Sequence, residues 1–288
     1  MESAAQASQK HPQGGALWRL AKERPVMTFV AVAYLLGWGM ATPRVLSWLG
    51  LISCQVPDWW IAASFYAPCV AALCVQWRSE RNFRVCHLYR SWGRLALGLA
   101  AAAALILIGN AVIPGLLAEK DPLHTINWRI FLSVAAYHFS LTEFITPIGE
   151  EVGWRGFALP RLQAHFGPVW ASVLVGLIWA GFMLPALAMV QMWSAGAILV
   201  YAVNLIALSV EMTYAANLSA QSIIVAVMMH ALASNQSIYL MRGLITHSYP
   251  RANWQQIWAA SNLVVPALLL IATRGRLGAE QEEPTPAA

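Results

Sequence analysis

The sequence predicts an all-α fold, a polytopic integral membrane helical bundle of about eight transmembrane helices. Three observations carry that expectation. Of 288 residues, 59% are hydrophobic and 11% charged, with a mean hydropathy of +0.56; ordinary soluble domains carry roughly 25% charged residues. Most of the chain is divided into apolar runs that approach or exceed the ~18–20 residues needed to cross a bilayer. Those runs are continuous and do not alternate apolar with polar residues, which argues against a membrane β-barrel.

The spans are expected in order, with boundaries good to a few residues. The first covers about Val26 to Thr42; its apolar run is longer than the core of a signal peptide, so it reads as a retained span. The second covers about Trp59 to Trp77 and opens on the Trp59-Trp60 pair, a residue type suited to the water–lipid interface. The third runs from about Leu95 to Ala118 and the fourth from about Trp128 to Gly149. The fifth runs from about Val169 to Met189, the sixth from Ala195 to Tyr214, the seventh from Ser219 to Leu240 and the eighth from Trp254 to Thr273. Pro147, Pro160, Pro168 and Pro185 bracket the fourth and fifth spans, where kinks or breaks are expected. Residues 26–273 form one transmembrane domain. The flanking segments 1–25 and 274–288 are expected to be disordered cytoplasmic tails.

Charge sets the expected orientation. With eight spans, thirteen of the 18 Lys and Arg fall on the side of the termini. They include Arg19 and Arg24 near the N-terminus, Arg78 to Arg94 in the loop after the second span, and Arg274 and Arg276 near the C-terminus. Arg44, Lys120, Arg129, Arg242 and Arg251 fall on the other side. This bias places both termini in the cytoplasm, most simply at a bacterial inner membrane. The net charge of +5 lies between spans, so the expected partner is the lipid bilayer and not nucleic acid. Cys54, Cys69, Cys74 and Cys86 lack CxxC spacing and read as packing residues.

The chemistry concentrates in Pro147-Ile-Gly-Glu-Glu-Val-Gly-Trp-Arg-Gly-Phe-Ala-Leu-Pro160. Buried carboxylates in a membrane need a partner or a function. On a helix Glu151 and Arg155 stand at i and i+4 and can pair, while Glu150 projects about 100° away, free to face a cavity. Two carboxylates beside one arginine titrate as a coupled set, which suits general acid–base work. The plainer reading is an interfacial ion-pair cluster. His230 lies midway along the seventh span, with Ser234 one turn below it and Asn235 rotated further round. His138 stands too far along its helix to share a site with Glu150 unless the helix bends. Glu211 reads as an interfacial anchor, and Glu143 either widens the acidic cluster or bonds elsewhere.

Residues 142–237 resemble the CPBP intramembrane metalloproteases, the CAAX prenyl protease and bacteriocin-processing group, also called Abi-like. The resemblance rests on Glu150-Glu151-x-x-x-Arg155, on the surrounding Gly-Trp-Arg-Gly and Leu-Pro-Arg-Leu-Gln163, and on His165-Phe-Gly-Pro168. Two further motifs depart from the pattern. The second, an aromatic residue followed four positions later by His, has Trp179 in place but Met183 at the histidine position. The third, His-x-x-x-Asn, keeps His230 and holds Ser234 at the asparagine position, with Asn235 one residue late.

The resemblance implies an eight-helix bundle, hydrolysis of membrane-associated or prenylated-type substrates through a Glu-activated water, and zinc as cofactor. It implies Glu150 as base, positioned by Glu151 and Arg155. It gives Glu150 and His230 as metal ligands, or His230 as oxyanion donor with Ser234 as a weaker substitute donor. Methionine relays no proton and its thioether is a poor zinc ligand, so the departures bear on zinc itself. Three readings stay open: a membrane endopeptidase, an inactive relative that binds a membrane protein or peptide, and a small proton-coupled transporter.

Overall fold

The computed structural model describes residues 16–113, 116, 141–189, 194–233 and 251–279. Among them the chain is about 82% helical with no strand, and it has one isolated bridge between His87 and Ser222. The helices are α1 (Ala16–Glu23), α2 (Pro25–Trp48), α3 (Asp58–Ser64), α4 (Ala67–Glu80) and α5 (Trp92–Leu107). Then come α6 (Leu141–Glu151), α7 (Leu159–Phe182), α8 (Leu184–Met189), α9 (Ala195–Leu218), α10 (Ile223–Ala233) and α11 (Arg251–Ala272). Among the described residues, four stretches are long and apolar enough to cross a membrane: Pro25–Trp48, Asp58–Glu80, Ile145–Phe182 and Ala195–Leu218. Trp92–Leu107, Ile223–Ala233 and Ala260–Ala272 are shorter apolar helices. This is the expected helical membrane bundle. Large apolar residues such as Leu35, Leu199, Leu268 and Ile271 point outward, the surface that hydrocarbon covers.

The fourth and fifth expected spans differ from expectation. Instead of ending at Gly149, the helix continues through the motif: α6 leads into a π-helical segment, Val152–Ala158, and that leads into α7. Pro147 lies inside α6 without ending it. Pro160 follows the π segment, and a proline ring collides with the carbonyl four residues before it, here that of Gly156. A wider turn just ahead of Pro160 accommodates that conflict, and such turns recur at functional sites. The break comes instead at Gly167, whose φ of +72° is open to glycine but strained for other residues, followed by Pro168.

The motif helix is pressed against the start of α4. A Cβ at Gly149 would lie 2.8 Å from the Phe65 carbonyl oxygen, and one at Gly153 would lie 2.6 Å from Pro68 Cβ and 2.8 Å from its backbone. Two glycines one turn apart therefore let two backbones meet, the packing device common between membrane helices. On the other side α2 supplies Phe29, whose ring lies 5.4 Å from Trp154 and 5.1 Å from Phe157. All three rings are fully buried. At the end of α7, where carbonyls lose their intrahelical partners, Tyr34 donates to the Ile178 carbonyl and Trp38 to that of Phe182.

Parts of the expected tails fold onto the bundle. Residues 16–23 form α1, with Ala21 buried against the bundle. At the other end residues 273–279 fold back: Leu277 is fully buried and its carbonyl accepts a 2.8 Å bond from Asn217. The four cysteines are free, with Cys54 and Cys74 exposed instead of packed. The Gly153 contact makes a prediction. Gly153→Ala should lower stability by about 1–3 kcal/mol, because the new methyl meets Pro68 backbone that cannot swing aside. Thermal unfolding in detergent checks this; an unchanged midpoint would show that the two helices are free to separate.

Candidate active site

The π segment and the helices around it bring the motif residues together in a buried cluster. Glu150 is 2% exposed, Glu151 0% and Arg155 2%. The expected i,i+4 pair forms: Arg155 Nη1 lies 3.0 Å from Glu151 Oε1. His230, carried by α10, brings Nδ1 to 2.7 Å from the same oxygen. A carboxylate only accepts, so Nδ1 carries the hydrogen of this bond and Nε2 is left for other work. The resemblance links His230 to Glu150; here its hydrogen bond goes to Glu151.

Glu150 does not stand free in a cavity as the helical projection suggested. Trp154, one turn along, donates its indole N–H to Glu150 Oε2 at 3.3 Å. Trp179 of α7 packs against both partners of Glu151. Its ring centroid lies 4.8 Å from the Arg155 guanidinium carbon and 4.8 Å from the His230 ring. Its buried indole N–H is directed toward Glu150 and falls short of hydrogen-bond geometry with it. Glu151 Oε2 and Arg155 Nε and Nη2 are likewise buried and unpartnered. Four polar atoms left open around one carboxylate pair are far from the usual satisfaction of a protein interior. They are the groups expected to engage a polar reactant.

Other predicted positions fall elsewhere. Met183 caps α7 and lines a small apolar cavity of about 20 Å³ with Gly37, Trp38, Phe65 and Pro185; none of Glu150, Glu151 or His230 lines it. Glu211, expected as an interfacial anchor, is 7% exposed and packed within α9 beside buried Val210 and Met212. Ser234, Asn235 and His138 lie outside the described residues, as does the side chain of Glu143. The residue that reading the sequence missed is Trp154. Its signal was present, one helical turn after Glu150, but an indole there reads equally well as packing.

Among the described residues the site presents no zinc ligand set. A zinc site takes three or four N, S or O ligands from the protein. Among the described residues no three His, Cys, Asp or Glu side chains come together as a ligand set. Glu151 Oε1 already serves Arg155 and His230, and the Met183 thioether faces an apolar cavity.

Residues 131–235 match the family model described as Rce1-like, type II CAAX prenyl endopeptidase Rce1-like. The match covers the Glu-Glu-x-x-x-Arg segment, Trp179 and His230, and is consistent with the CPBP resemblance. No curated protein matches the chain.

The ion network predicts a stability effect that is independent of any activity. Glu151→Gln leaves the Arg155 cation buried without its counter-charge and should cost about 3–5 kcal/mol. Adding Arg155→Met should recover part of that loss, since the guanidinium is then no longer buried without Glu151. Unfolding of both variants in detergent measures it. Equal stability of Glu151→Gln and the native chain would mean the pair does not hold the site.

Proposed function

We propose that this chain, Rce1-like over residues 131–235, is a membrane endopeptidase whose Glu150 activates a water against a peptide bond. The carrying observation is the buried Glu150 carboxylate, oriented by Trp154 beside the closed Glu151–Arg155–His230 network. Glu150 takes a proton from the water as its oxygen adds to the scissile carbonyl carbon. It then returns that proton to the leaving amine as the C–N bond breaks, the ordinary two-step use of one carboxyl group. Glu151 does not share this task. Its charge is matched by Arg155, and its role is to hold Arg155 and His230 in place.

The substrate class follows from the setting and the family description. A site enclosed by membrane-spanning helices meets peptides already held at the bilayer, of membrane-associated or prenylated type. Thirteen of the 18 basic residues on the side of the termini support cytoplasmic ends at a bacterial inner membrane. Because the described residues present no zinc ligand set, the proposed water activation is metal-independent. Met183 favours a second reading, a relative that binds such peptides without cutting them.

The purified chain in liposomes, given a farnesylated CaaX-type peptide with a fluorophore and quencher across the scissile bond, separates these readings. Native protein should cleave, and Glu150→Ala should lower the rate by about 10²–10⁴-fold, the range of a lost general base. Full activity in Glu150→Ala would sink the assignment. Absence of cleavage by the native chain, with the peptide still bound, would establish the non-cutting reading. Prior treatment with EDTA should leave the native rate within about twofold, as expected where no step depends on a metal ligand set. A rate lost to chelation and restored by zinc would overturn the metal-independent part alone.

A further inference from the structure

We propose that Trp179 is a catalytic residue, its indole N–H receiving the oxyanion formed when the Glu150-activated water adds to the scissile carbonyl. The inference rests on the endopeptidase reading above and deepens it by naming the donor that meets the oxyanion. The resemblance asks only for an aromatic ring at position 179. Phenylalanine would meet that demand, pack in the same place and bury no polar atom. Tryptophan instead brings a buried N–H that is directed toward Glu150 and falls short of hydrogen-bond geometry with it. An orphaned buried donor typically costs ~1–3 kcal/mol, so its presence calls for a partner that arrives with the reactant.

The indole is also held in a defined direction. Arg155 lies over its face, His230 packs against it at an interplanar angle of 57°, and the residue is 3% exposed. The other indole of the cluster, that of Trp154, is already occupied by Glu150. The two tryptophans therefore divide the work, one orienting the base and the other left open beside it.

The step balances without any further reactant. As the water oxygen bonds to the carbonyl carbon, its proton passes to Glu150 and the carbonyl π pair moves onto the oxygen. The oxyanion accepts the Trp179 N–H bond while Glu150, now neutral, no longer repels it. Collapse restores the C=O bond, expels the amine nitrogen, and returns the Glu150 proton to it. A donor aimed at charge that appears only in the transition state contributes to kcat and not to substrate binding.

The test compares the native chain with Trp179→Phe and with benzothienylalanine at position 179, which keeps the bicyclic shape and lacks the N–H. On the farnesylated peptide both should lose on the order of 10²-fold in kcat, as for one lost oxyanion donor, with KM within about twofold. A difluoroketone analogue of the peptide, whose hydrate mimics the tetrahedral species, should lose affinity by a similar factor. Native kcat in the benzothienylalanine protein would overturn the proposal, as would a fall in kcat with the analogue's affinity unchanged. If the native chain cleaves nothing, the endopeptidase reading and this inference fall together; native cleavage with an unaffected variant removes this inference alone.

Discussion

A guanidinium and two adjacent carboxylates buried in an apolar bundle form the constraint on which the rest of this structure depends. Each ion removed from water costs several kcal/mol, and only close pairing offsets that cost. Arg155, Glu151 and His230 provide the pairing at 3.0 and 2.7 Å, but they come from two separate helical elements. The motif helix and α10 must therefore meet in one register. Gly149 and Gly153 let the motif helix seat against α4, and Phe29 closes the opposite side around Trp154 and Phe157. Here packing serves electrostatics: rigid rings and close backbones hold charges where lipid would otherwise expel them.

With Glu151 paired to Arg155 and His230, Glu150 is the carboxylate outside that network. Its neighbour is neutralised by Arg155, and its own oxygen is steered by an indole instead of a second cation. The open donors around it belong to Arg155 and Trp179. A site of this kind stabilises developing negative charge with fixed dipoles, and it does so in a medium where such dipoles act strongly. Met183, by contrast, packs into an apolar cavity that none of the acidic residues lines. The loss of the second-motif histidine is therefore more than an exchanged ligand, because the side chain now serves the contact of α7 with α2.

Much of the fold was legible in the residues. Long apolar runs can only be satisfied in lipid as helices, so the helical bundle followed from composition and run length. The Glu151–Arg155 pair followed from i,i+4 spacing, which the π segment leaves intact. The uninterrupted passage from α6 to α7 was not legible, because Pro147, Pro160 and the charged stretch between them ordinarily mark a loop. A helix tolerates them here because the wide turn ahead of Pro160 absorbs the misfit and neighbouring helices cover the charges. Nor was α1 legible as bundle, since a short helix shows its worth only through what it packs on.

The sequence by itself determined that this chain lives in a membrane, that its spans are helical, and that its buried charge concentrates at Glu150, Glu151 and Arg155. Those conclusions rest on local properties: hydropathy, helical periodicity and the cost of burying charge. Tertiary structure alone decided that His230 serves Glu151, that Trp154 orients Glu150, and that Trp179 packs against both Arg155 and His230. Contacts between residues far apart in the chain depend on helix register and crossing, and periodicity within one helix carries no information about either.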